Sequence, residues 1–368
     1  MSGTELARAY WADVVRPILE RKFPDLPRAA GRLGSGSEVL GLDDDMSRDH
    51  DWGLRLTLLV PADRVAEVDE ALAVSLPASY AGRPTAFPVT WDPAVRHRVE
   101  VATPAGFVRS RTGLDLRTAT RGGDRHEDRH GDRHEDRHED RHGLGVTDWL
   151  TLTGQSVLEV TAGPVFEDTS GELTALRECL AWYPHDVWLH VLAADWTRIE
   201  QELPFVGRTG QRGDDLGSRL IVARLVTALI RLGFLLERRW PPYSKWAGTL
   251  FARLPVAPSA SEHLAAALAA GTWQHRDAAL RAACEALHER QRALGLPALD
   301  GPACEPFFDR PFTGLRDVAG VLRAAVTDPE VRALSHRGGV EQWVDDVGTL
   351  TDENLRVRLA QVPAERSR

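Results

Sequence analysis

The chain is predicted to be an α+β protein, with a mixed β-sheet and flanking helices in its N-terminal part and an all-helical C-terminal domain. Three observations predict this. Short apolar runs punctuated by Gly and Pro fill the first 102 residues, and helical periodicity takes over beyond residue 147. Between them, residues 121–143 contain no hydrophobic side chain at all. With 368 residues the chain exceeds what one core usually organises. The expected division is therefore 1–160 and 161–368, with 121–143 as an insertion in the first domain.

The elements follow in order. Leu6, Tyr10, Val14, Val15, Ile18 and Leu19 fall on one face of a helix over residues 4–22, which Pro24 helps to stop. Ala29 to Leu33 is a short strand leading into glycines, and Trp52 to Val60 reads as a buried strand ended by Pro61. Asp63 to Ser75 is helical; Ala86 to Trp91 and Arg98 to Ala102 are strands. In the C-terminal half Pro184 opens a helix carrying Trp188, Leu192 and Trp196 on one face. A second helix starts near Asp214 and Asp215 and ends before Pro241, and others are expected at 261–270, 275–293, 315–326 and 339–347. The tryptophans here are expected to pack, and His190 to be a satisfied, partly buried residue. Pro363 to Arg368 read as a frayed tail.

A formal net charge of −9 argues against a large basic nucleic-acid footprint. Three cysteines, Cys179, Cys284 and Cys304, have neither CxxC spacing nor an even framework, so no disulfide scaffold or zinc knuckle is implied. The apolar stretch Leu220 to Leu236 is interrupted by Arg224 and Arg231, and the start lacks a basic-then-apolar leader. No membrane span and a cytoplasmic location are expected. Residues 124–143 repeat Asp-Arg-His-Glu or Asp-Arg-His-Gly five times. On a helix this would align imidazoles that could chelate a metal; the plainer reading is a solvated surface loop.

The chemistry concentrates in two stretches. Gly34-Ser35-Gly36-Ser37 permits a tight turn with close backbone approach, so its amides and hydroxyls can meet phosphate oxygens. Asp49-His50-Asp51 then stands at the mouth of an apolar strand, where period-two geometry puts two carboxylates on one face within reach of magnesium. Taken singly, the first could be an ordinary glycine loop and the second a solvated acidic turn. Taken together and in order they point to phosphoryl-type transfer with one or two magnesium ions, of which two could stabilise both the attacking and the leaving oxygens.

A Gly-Ser turn after a strand, followed by an acidic-x-acidic pair opening the next, resembles the DNA polymerase beta-like nucleotidyltransferase superfamily. Thirteen residues separate Ser35 from Asp49, and eleven separate Ser37 from it. The runs Gly34-Ser-Gly-Ser-Glu-Val-Leu-Gly and Ser47-Arg-Asp-His-Asp-Trp-Gly53 resemble a bacterial branch with a helical C-terminal domain, as do Trp240-Pro-Pro-Tyr-Ser-Lys-Trp-Ala-Gly248 and Phe308-Asp-Arg-Pro-Phe312. The resemblance implies a third carboxylate from a later strand, acting as metal ligand and as base. Glu100, between Val99 and Val101, is the candidate, and Asp92 the runner-up. Asp49, Asp51 and Glu100 would then be catalytic and hold Mg2+, and Gly34, Ser35, Gly36 and Ser37 would bind a nucleoside triphosphate such as ATP.

Lys245, one of only two lysines, stands beside Tyr243 and Trp246, which invites a nucleotide-binding role or else simple surface placement. The expected reaction moves a nucleoside monophosphate to an unidentified acceptor, a small molecule in preference to nucleic acid, in a cleft between the domains. The alternative is a non-catalytic nucleotide-binding or partner-binding module on the same fold.

Overall fold

In the computed structural model, residues 1–47, 51–116 and 144–360 are described. Asp49, the 121–143 repeat and the C-terminal tail lie outside the described residues. The protein is α+β. Two units divide it, residues 1–144 with 156–181, and residues 145–155 with 182–368. The chain thus passes between them three times, within the helix Gly154–Thr161 at one crossing, whereas the sequence suggests a single boundary at 160.

The first unit is built on a sheet of five strands: β1 (Ala29–Gly31), β2 (Arg55–Leu59), β5 (Ala86–Val89), β6 (Asp92–Ala102) and β7 (Val165–Asp168). A separate ribbon pairs β3 (Ser79–Tyr80) with β4 (Arg83–Pro84). The sheet order is β5-β6-β2-β1-β7, with β2 and β6 parallel and the other pairs antiparallel. In register, Gly31 stands opposite Thr57 and Thr57 opposite Glu100.

Alternation sorts the sheet's faces. Leu56, Leu58 and Val99 join the core with Leu6, Tyr10, Ile18, Leu19, Val68 and Leu72 of the N-terminal and 65–75 helices. Burying such side chains contributes roughly 1.5–3 kcal/mol each. Arg55, Thr57 and Glu100 consequently fall on the opposite face.

The N-terminal helix runs Gly3–Tyr10, then as a π-turn Trp11–Val15, then Arg16–Lys22. Ser2 caps it through a reciprocal box with Glu5. The wide turn lies just before Pro17, whose missing N–H and ring disturb the regular ladder. β6 begins six residues earlier than the sequence suggests, since Pro93 stands at the strand's N-terminal end, where its missing N–H is tolerated, and Arg96 and Arg98 bond Asp92 rather than marking a loop.

The second unit is mainly helical. Its long helices are His185–Gln211, Asp215–Leu236, Ala257–Ala269 and Trp273–Ala293, with a two-stranded ribbon of β8 (Cys304–Pro306) and β9 (Thr313–Leu315). Trp196 is fully buried and donates to Gln291 Oε1 at 2.7 Å, and Trp188 donates to the Leu235 carbonyl at 2.8 Å, so these tryptophans pack. His190 is buried, and its Nε2 has no partner among the described residues; the expectation of a satisfied side chain is corrected there. Burial holds that imidazole down to about 4, hence neutral.

The helix expected at 339–347 is replaced by a single 3-10 turn, Val340–Gln342, and a separate helix Val347–Thr351. The reason is local: the Asp346 carboxylate accepts from Thr349 N at 2.7 Å and starts a new helix. Among the described residues, no helix is long and apolar enough to cross a membrane.

Candidate functional site

β1 delivers the chain into the Gly34–Ser37 loop. Gly34 has φ 79° and Gly36 φ 136°, both in the range that favours glycine. The loop is braced from below by a buried ion pair. Arg32 Nε donates to Glu38 Oε1 at 2.9 Å, its NH2 donates to the Ser35 carbonyl at 2.6 Å, and its NH1 to the Leu33 carbonyl. Two main-chain oxygens that would otherwise be stranded on the turn are thus satisfied by one planar fork. Ser37 begins the 3-10 turn Ser37–Leu40 that leaves the loop.

Arg55, on β2, reaches the loop from the side. Its NH2 donates to Ser35 Oγ at 3.1 Å, and its guanidinium lies 5.0 Å from the centre of the Trp91 ring. Burial, reinforced by the charge of Arg32, pushes Arg55 down to about 9, while Glu38, Glu100 and Asp51 act the other way. It therefore stays protonated at neutral pH, and it feels the two described candidate carboxylates together.

Those carboxylates are already engaged. Asp51 accepts from Thr90 N at 2.6 Å and Thr90 Oγ1 at 2.7 Å, which ties the segment before β2 to the β5–β6 turn. Glu100 accepts a bidentate pair from Arg111 NH2, at 2.8 Å to each oxygen, and Arg111 also faces Glu159 at 3.4 Å. Arg111 comes from the helix Pro104–Thr112 and lies against Gly34 as well.

Asp92 stands apart from this arrangement. Arg98 and Arg96 donate to it at 2.8 and 2.7 Å and hold its carboxyl down at about 2, so its charge is spent on its own strand. Of the two candidates for the third carboxylate, Glu100 is the one in the field of Arg55.

Lys245 belongs to the second unit, exposed on the helix Ser244–Phe251 with its ammonium 4.8 Å from the Trp246 ring centre. Among the described residues, no group of three or more His, Cys, Asp or Glu side chains is gathered as a metal site. Sequence reading missed Arg55, Arg111 and the Thr90-Trp91 turn. Arg55 had a signal: a cation alternating with Leu54 and Leu56 inside a buried strand needs a polar environment on its own face.

What the fold and site define is an α+β protein in which Arg55 of β2 bonds the Gly-Ser loop at Ser35, with Glu100 on the neighbouring strand β6 and Asp51 in the segment before β2. Residues 149–247 match a family described as a domain of unknown function, DUF4037. No curated protein matches the chain. The chain is similar to the crystal structure of a nucleotidyltransferase-like protein from Exiguobacterium sibiricum, at 14% identity and a TM-score of 0.33 over 77% of this chain and 76% of that one.

Proposed function

We propose that the protein is a magnesium-dependent nucleotidyltransferase. The acceptor oxygen would attack the α-phosphorus of a nucleoside triphosphate such as ATP, breaking the bond to the bridging oxygen. Pyrophosphate would leave with that electron pair, and the acceptor proton would pass to a carboxylate base. The observation that carries this reading is the convergence on Arg55: it bonds Ser35 of the Gly-Ser loop and lies in the combined field of Asp51 and Glu100.

Asp51 and Glu100 are hard oxygen donors of the kind Mg2+ takes, and Asp49 would complete the set. The metal, when bound, would neutralise developing charge on the phosphate oxygens. Thr90 would fix the Asp51 carboxylate, Arg111 would release Glu100, and the loop amides of Gly34 to Ser37 would hold the phosphates. The net charge of −9 favours a small-molecule acceptor over nucleic acid.

The test is pyrophosphate release from each of the common nucleoside triphosphates, with Mg2+ and a broad acceptor set. Turnover should fall at least about 100-fold in Asp51→Asn and in Glu100→Gln. Absence of magnesium-dependent release from every triphosphate would sink the proposal.

A second reading is a non-catalytic nucleotide-binding module. It is favoured by the bidentate hold of Arg111 on Glu100, which leaves that carboxylate no oxygen free of a cation. Triphosphate binding by calorimetry without release, unchanged in Glu100→Gln, is its expected signature.

A further inference from the structure

Four guanidinium groups stand on or beside the face that carries the Gly-Ser loop, and three of them are answered by carboxylates. Arg32 pairs with Glu38, Arg98 with Asp92, and Arg111 with Glu100 and Glu159. Arg55 differs. Among the described residues no carboxylate lies within ion-pair distance of it, and its hydrogen bond goes to a neutral hydroxyl, Ser35 Oγ at 3.1 Å.

A guanidinium offers five donors in a planar fork, and Arg55 is half-buried with Glu38, Glu100 and Asp51 near enough to be felt but none of them bonded to it, so its fork retains donors that a closer anion can complete. The depressed proton affinity of Arg55 comes from burial first and the like charge of Arg32 second. Trp91 lies over the guanidinium and closes one side of it, while 60% of the Trp91 side chain remains exposed. The remaining donors therefore share their surroundings with the Ser35 hydroxyl. The loop carries two glycines, so its backbone can approach an oxyanion closely.

We infer that Arg55 is a binding residue for a polyphosphate oxyanion seated on the Gly34–Ser37 loop, with Trp91 as the ring that holds its fork in place. The inference rests on the nucleotidyltransferase reading for the nature of the ligand. Two sources share this chemistry: the tail of a nucleoside triphosphate and free pyrophosphate, the product of the proposed transfer.

Calorimetry on the full chain at low salt, without metal, tests it with tripolyphosphate, pyrophosphate and ATP. Arg55→Met should weaken all three by at least about tenfold, the loss of a charge-assisted fork. Arg55→Lys keeps the charge but not the fork, and should weaken them at least about threefold. If Met at this position prevents folding, as circular dichroism would reveal, the Lys variant alone decides. Wild-type affinity in the Lys and Met variants overturns the inference, and so does a wild-type protein that binds none of the three probes.

Tighter binding of ATP than of tripolyphosphate, with an equal loss in Arg55→Met, assigns the site to the donor's tail; equal affinities assign it to the free polyphosphate. The pyrophosphate-release assay keeps this outcome separate from the proposed activity. Anion affinity lost in Arg55→Met by a protein that never turns over sustains the inference and sinks the activity. Turnover with unchanged KM in Arg55→Met does the reverse.

Discussion

Gly36 holds φ 136° and ψ 140°, and a Cβ placed on it would lie 2.5 Å from Glu38 Oε2 and 2.6 Å from Arg32 NH2. Neither neighbour can yield easily, because each is locked to the other in the buried pair beneath the loop. Gly36→Ala should therefore cost about 2–4 kcal/mol in urea unfolding, from backbone strain and a displaced ion pair together. Pyrophosphate affinity should fall with it. The glycines of this loop were legible in the sequence because paired Gly and Ser in a four-residue run are a local signal. Its arginines were not. Arg55 meets a serine twenty positions away, Asp51 a threonine thirty-nine away, and Arg111 a glutamate eleven away. No periodicity records pairings made by the sheet register, and arginine is too abundant in this chain to draw notice.

At the scale of elements, the helices His185–Gln211 and Asp215–Leu236 show how unequal their ion pairs are. Asp195 is fully buried and receives the Arg231 fork at 2.6 to 3.1 Å, and Arg231 also donates to the Glu341 carbonyl. Asp195→Asn should cost about 3–5 kcal/mol in chemical denaturation, because a buried cation is left uncompensated. The joint replacement Asp195→Leu with Arg231→Met should cost clearly less than the single change. Arg224→Ala, which removes the exposed partner of the half-buried Glu202, should cost under about 1 kcal/mol. Both helices were legible from apolar spacing and their capping residues. The β5–β6 hairpin was only half legible, since Asp92, Arg96 and Arg98 answer one another within the strand and their charge masks its period.

At the scale of the whole molecule, Glu341 sets a pH dependence. Burial raises its carboxyl from 4.5 to about 7, against the pull of the Gly154 amide, which donates to it at 2.9 Å, and of Arg231. A raised carboxyl favours the protonated form in the folded state. Its contribution to stability is thus complete below about 4.5 and is lost as pH rises through about 7. Glu341→Gln can keep the bond from Gly154 and has no charge to desolvate. It should be more stable than the wild type at pH 8, by on the order of 3 kcal/mol, with the gap closing toward pH 5. Melting temperatures at four pH values check this; an equal gap at pH 5 and pH 8 would overturn it.

The order in which the first unit's strands occur along the chain also bears on its birth at the ribosome. β1, which leads into the Gly-Ser loop, is flanked by β2 on one side and by β7 on the other, and β7 begins only at Val165. At about 5–20 residues per second, β1 waits on the order of ten seconds for that neighbour to be made. During that interval its outer backbone edge is open to any passing strand. A fragment ended at residue 160 would make the interval permanent. Such a fragment should therefore associate through β1, and pulse-labelling of nascent chains should find the outer edge of β1 protected only after Asp168 has left the exit tunnel.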